Sequence, residues 1–127
     1  MKTLFTTLFV LLVAACSSAP APVPPQDPPV VAAASAKVTR VEPSLVCMVN
    51  NQYMGKPQIP VLVDGKTYFG CCEMCESRLA TDPMSRTATD PVSGASVDKA
   101  TAVIGRDASG AALYFENAKN LEVYASR

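Results

Sequence analysis

The sequence predicts a small α+β protein built from two tandem hairpin-plus-helix units, which follow a signal segment and a proline-rich tether. Three observations carry this reading. Tyr68-Phe69 and Tyr114-Phe115 recur 46 positions apart, and 22 positions separate both Cys47 from Phe69 and Ser93 from Phe115. Each aromatic pair closes a β-rich run and is followed by a helix-like run, CCEMCESRLA in the first unit and ENAKNLEVYA in the second. A period of this size marks two copies of one supersecondary unit that bury their faces on each other. The length of 127 residues leaves room for little else, and neither a Rossmann domain nor a barrel would fit.

Met1-Lys2-Thr3 is a short positive start, and Leu4 to Val13 is an apolar run of about ten residues, half of the roughly 20 that span a bilayer. The run ends in Leu12-Val13-Ala14-Ala15-Cys16-Ser17, which resembles the lipobox of bacterial lipoproteins. That resemblance implies a signal peptide over 1–15, cleavage before Cys16 and lipidation of Cys16. Ser17, rather than Asp, implies sorting to the outer membrane, with the protein anchored by lipid and facing the periplasm. An ordinary secretory signal with an incidental Cys16 is the alternative. From Cys16 to Lys37 the chain is rich in Pro and Ala, with six of the eleven prolines between Pro20 and Pro29. Such a stretch forms neither ladder nor helix and reads as an extended tether.

The first unit spans 38–82. Ile59 to Val63 and Thr67 to Phe69 are β-rich runs around Asp64-Gly65, a dipeptide that favours tight hairpin turns. A helix is expected from about Cys71 to Ala80, ending before Asp82-Pro83, because proline disfavours helix at the residue before it. The second unit spans 83–127, with a hairpin of Ala100–Ile104 and Ala111–Phe115 around a longer loop, Arg106 to Gly110, and then the second helix. Tyr68, Phe69, Tyr114 and Phe115 read as core aromatics, with Leu79, Leu121 and Tyr124 on the inner helix faces. Asp98-Lys99 reads as a turn or surface pair.

Eleven Lys+Arg balance eleven Asp+Glu without a basic stripe, which disfavours nucleic-acid binding. The chain has no histidine, which excludes Cys/His zinc fingers, His-based triads and imidazole bases. No nucleophile has a partner base and no glycine loop is placed to cradle phosphate, so no enzymatic activity is expected.

The sulfur is what stands out. Beyond Cys16 the cysteines are Cys47, Cys71, Cys72 and Cys75, all in the first unit, and the spacing reads equally as Cys47-x23-Cys71-x3-Cys75 or Cys47-x24-Cys72-x2-Cys75. At about 100° per residue, a helix beginning at Cys71 would turn Cys71, Cys72 and Cys75 broadly to one side, and the hairpin would fold Cys47 back onto them. A helix N-terminus favours the thiolate, the form that ligates metal. Thiolates and thioethers are soft donors that select Cu(I), Zn(II) and related ions. Met48, Met54 and Met74 lie close to the thiols in sequence and are further candidate donors, though each could equally fill a small core. Low coordination by mixed sulfur donors favours Cu(I), and four thiolates would suit Zn(II).

The Cys71-x3-Cys75 pair, preceded some 23 residues earlier by Cys47, resembles the TRASH domain, and the second unit, with Asp90-Pro91-Val92-Ser93-Gly94 and Tyr114-Phe115, resembles the related YHS domain. The resemblance implies treble-clef-like units, soft-metal binding at Cys47, Cys71 and Cys75, and a role in heavy-metal trafficking or resistance with a protein that gives or receives the ion. The second unit departs from the pattern, since Ser93, Glu116 and Asn120 stand at the matching positions, and so reads as a degenerate repeat. Two alternatives remain open. An exported chain would ordinarily pair its thiols, making this a disulfide-stabilised structural or interaction module, although the adjacent Cys71 and Cys72 leave at most one unstrained bridge, from Cys47. Cys72-Glu73-Met74-Cys75 is also a Cys-x-x-Cys after a strand, the local setting of thiol–disulfide exchange.

Overall fold

Two hairpins, each followed by a helix, frame the computed structural model, which describes residues 37–127. Segment 1–15, Cys16 and the tether up to residue 36 lie outside the described residues. The strands are β1 (Val38–Arg40), β2 (Val46–Cys47), β3 (Gln52–Tyr53), β4 (Ile59–Val63), β5 (Lys66–Gly70), β6 (Thr87–Thr89), β7 (Ser96–Asp98), β8 (Val103–Asp107) and β9 (Ala112–Phe115). The helices are α1 (Glu73–Thr81) and α2 (Ala118–Ala125), and single 3-10 turns cover Pro43–Leu45 and Pro83–Arg86. This is the expected small α+β architecture. Among the described residues no helix is long and apolar enough to cross a membrane.

The β4–β5 hairpin closes with a two-residue turn, Val63 opposite Lys66. Asp64 and Gly65 both adopt positive φ, 50° and 75°, the geometry that matches the right-handed twist of the strands and that Asp-Gly tolerates. In the β8–β9 hairpin the loop is organised by Asp107, whose carboxylate accepts from the backbone N–H groups of Ser109 and Ala111. Helix α1 stops at Thr81, with Asp82 leading into Pro83 as the proline demands. Helix α2 starts behind Asn117, whose side chain accepts from Asn120 N–H at 3.0 Å and so satisfies a first-turn donor.

The two halves repeat one order of elements: a short strand pair (β2–β3, then β6–β7), a hairpin (β4–β5, then β8–β9) and a helix. They do not fold side by side as separate bodies. β1 pairs antiparallel with β8, so the first described strand completes the second hairpin as a three-stranded sheet. Tyr53 N–H donates to Gly110 O at 2.9 Å and Ala112 N–H to Asn51 O at 2.8 Å, tying the β2–β3 turn to the loop of the other half. The main core mixes Val46, Met48, Val61, Tyr68 and Leu79 with Val97, Ile104, Ala112 and Tyr114. A smaller cluster of Val38, Phe115 and Leu121 seats α2 on its sheet. Three of the four predicted core aromatics are buried, and Phe69 is partly so.

Candidate metal centre

Three elements bring the thiols together. Cys47 ends β2 and is fully buried, and the turn that follows is held down because Met48 N–H donates to Phe69 O on β5 at 2.8 Å. Cys71 comes directly after β5, and Cys75 lies in the first turn of α1. Gly70 allows that first turn to lie against the strand end. A Cβ there would stand 3.0 Å from Cys75 Cβ and 3.2 Å from the Cys75 carbonyl carbon and the Glu76 nitrogen.

The Sγ of Cys47 lies 3.8 Å from that of Cys75, and the Sγ of Cys71 lies 3.6 Å from Cys75. All three sulfurs fall within 4.8 Å of one another. Sulfurs bound to one ion at about 2.3 Å sit about 3.8 Å apart in a tetrahedron and about 4.0 Å apart in a trigonal plane. The cluster therefore has the spacing of three ligands to one ion, well beyond the ~2.05 Å of a disulfide. The four described cysteines are free thiols.

The three thiols differ in how readily they ionise. Burial works against ionising Cys47, but hydrogen bonds from the Asn50 backbone, the Cys71 thiol and the Cys71 and Val49 backbones outweigh it and hold the Cys47 thiol below its ordinary range. Cys71 is pushed up to about 12 by its neighbours Cys47 and Cys75, in that order. Cys75 is raised, chiefly by burial. Of the three, Cys47 gives up its proton most readily, and a cation bound by all three would displace the protons of the other two. Asn50 adds a side-chain N–H to Cys71 Sγ at 3.8 Å.

Cys72 does not join them. The helix begins two residues later than the sequence suggests, and Cys72 is its N-cap, extended at φ −159° and ψ 170°. Extended residues alternate sides, so Cys71 turns inward while Cys72 is exposed to solvent. The expectation that a continuous helix would gather all three thiols is corrected on this point. Cys72 is nevertheless held below the usual thiol range, first by the Cys75 backbone N–H at the helix start. Of the methionines, Met48 is fully buried in the core, Met54 is 39% exposed and Met74 is 82% exposed.

The matching place in the second half is closed by a carboxylate. Asp90 is fully buried, and one of its oxygens accepts from Val92 and Ser93 N–H at 2.7 and 3.3 Å. The other accepts from Glu116 N–H at 2.8 Å and the Asn120 amide at 2.7 Å. It thus links the residues that align with Cys47, Cys71 and Cys75. Burial disfavours its charge, but the hydrogen bonds win, led by Asn120 and then Glu116, and hold the carboxyl at about 2.

Lys99 corrects a second expectation. Rather than lying on the surface it is only 3% exposed, and its Nζ donates to Met48 O at 2.7 Å, immediately beyond Cys47. Nothing in the local sequence announces this. Asp98 does face solvent in part, paired with Lys66 at 2.7 Å and accepting from Tyr68 Oη at 2.9 Å.

Fold and site together define a small α+β protein with a three-thiol cluster close enough to hold a metal ion. No protein family, curated protein or solved structure matches the chain.

Proposed function

We propose that this is a lipid-anchored, periplasm-facing protein that captures a soft metal ion through Cys47, Cys71 and Cys75, for trafficking or resistance. The observation that carries the reading is the sulfur spacing of 3.6 and 3.8 Å, within a group of three thiols that all lie within 4.8 Å. Three thiolates without a fourth suit the low coordination numbers of Cu(I), whereas a closed zinc site takes four ligands. Cu(I) is therefore the favoured cargo and Zn(II) the second, which would need Cys72 to turn inward as a fourth thiolate. In this reading 38–82 is a TRASH-like metal-binding unit and 83–127 a YHS-like unit that has lost its ligands. The repeated order of strand pair, hairpin and helix supports it, as does the Asp90 clasp where the second set of ligands would stand. Cys16 supplies the lipid anchor, and a metal-transfer protein gives or receives the ion.

Cu(I) titration of reduced protein tests the assignment. Cys75→Ser removes the sulfur that lies within 3.8 Å of both others and abolishes tight binding, whereas Cys72→Ser retains about one equivalent. Undiminished stoichiometry in Cys75→Ser overturns the proposal.

A further inference from the structure

Among the described residues, a buried lysine stands behind the thiol cluster without a carboxylate partner. Lys99 is 3% exposed, and its backbone N–H is fixed to Arg86 O at 2.9 Å. Its Nζ makes one hydrogen bond, to Met48 O at 2.7 Å, and lies 5.2 Å from the centroid of the Tyr114 ring. The ion pairs among the described residues are Lys66–Asp98 and Arg78–Asp82, and neither includes Lys99. A buried cation needs a compensating negative charge. The thiol best placed to supply it is Cys47, the residue preceding the carbonyl that Lys99 holds; burial, aided by Arg78, pulls the lysine down to about 8, and a charge on Cys47 works in the opposite direction.

Tyr114 belongs to the same assembly. Its hydroxyl is buried without a hydrogen-bond partner among the described residues. The second half of the chain therefore contributes a cation and an aromatic ring to the back of a site whose sulfurs all come from the first half.

Resting on the trithiolate reading, we infer that Lys99 is the charge-balancing residue of this site and sets its preference for ions that leave the three thiolates anionic. Three thiolates around Cu(I) carry a net charge of −2, and around a divalent soft ion −1. Around As(III) they carry none: arsenous acid exchanges its three hydroxyls for three thiols and releases three waters, which leaves a neutral adduct. A protonated Lys99, bonded to the carbonyl of the residue after Cys47, stabilises the first two adducts and gains nothing from the third. The site thus discriminates between thiophilic ions by charge as well as by geometry.

The test is the ratio of Cu(I) to arsenite affinity in the full chain, measured for wild type, Lys99→Gln and Lys99→Met. The ratio compares two loaded states, so a change in the unloaded protein cancels from it. Gln keeps a donor for Met48 O without the charge, and Met removes both. Both variants are expected to lower the ratio by roughly tenfold or more at low salt, as one buried charge acting on two adducts of different charge requires. Lys99→Gln serves alone if Lys99→Met does not fold. An unchanged ratio in Lys99→Gln, or an equal fall in both affinities, overturns the inference and leaves Lys99 a packing residue. A wild-type protein that binds neither ion overturns the trithiolate reading, and this inference with it.

Discussion

Replacing Gly70 with Ala probes the contact that sets the sulfur spacing. Gly70 is not among the glycines with positive φ, so Ala meets no backbone penalty there, and the effect comes from contact alone. The added methyl would stand 3.0 Å from Cys75 Cβ and 3.2 Å from two backbone atoms of the helix start. Carbon contacts are comfortable at about 3.5–4.0 Å, so the first turn of α1 must retreat by about 0.5 Å, and backbone atoms cannot rotate out of the way. Overpacking of this kind costs about 1–3 kcal/mol, partly offset by about 0.4–1 kcal/mol because Ala restricts the unfolded chain more than Gly does. A net loss of about 1–2 kcal/mol is expected in the metal-free, reduced protein. Urea denaturation should show a lower midpoint at unchanged slope. Cys75 carries its sulfur with the helix, so soft-metal affinity should fall with stability. A Gly70→Ala protein that is as stable as wild type and binds as tightly would refute the argument that this junction fixes the site.

The Asp90 clasp predicts an acid limb of stability. Its folded-state carboxyl lies at about 2 against an ordinary 3.8, so the folded protein binds that proton more weakly than the unfolded chain does. The corresponding stabilisation, about 2 kcal/mol, is fully present above about pH 4 and is lost as the pH falls towards about 2. Asp90→Asn should lower stability at neutral pH and flatten that limb in urea denaturation across pH; an unchanged acid slope would contradict the assignment. For the anchor, Cys16→Ser should release the protein from the membrane fraction without altering metal binding by the folded region, and normal membrane retention would refute lipidation at that residue.

Much of the scaffold could be read from local chemistry. Asp64-Gly65 announced its hairpin because a two-residue turn needs two positive φ angles, and both residues adopt them. Pro83 ended α1 where the chain has no choice. The approach of Cys47 to Cys71 and Cys75 also followed from pattern, since a hairpin returns the chain to where it began. What the pattern could not resolve was the boundary at Cys72. Helix starts are uncertain by one or two residues, and here that margin decides whether a thiol faces the cluster or the solvent. Lys99 and Asp90 were hidden for a different reason. Their roles depend on contacts 51 residues away, to Met48, and 26 to 30 away, to Glu116 and Asn120. A lysine beside an aspartate ordinarily signals surface, and only the packing of one half on the other makes it interior.

Thiol accessibility with and without metal tests the central claim most directly. Protein purified under reducing, anaerobic conditions is alkylated before and after addition of one equivalent of Cu(I), and the modified cysteines are located by peptide mass. The account predicts that Cys72, the exposed thiol, reacts in both states, whereas Cys71, the partly exposed thiol of the cluster, is protected by the ion and becomes reactive again when a chelator removes it, with Cys47 and Cys75 shielded by burial throughout. Absence of bound metal, with Cys47 instead forming a disulfide in air, would contradict it and assign these thiols to a structural bridge.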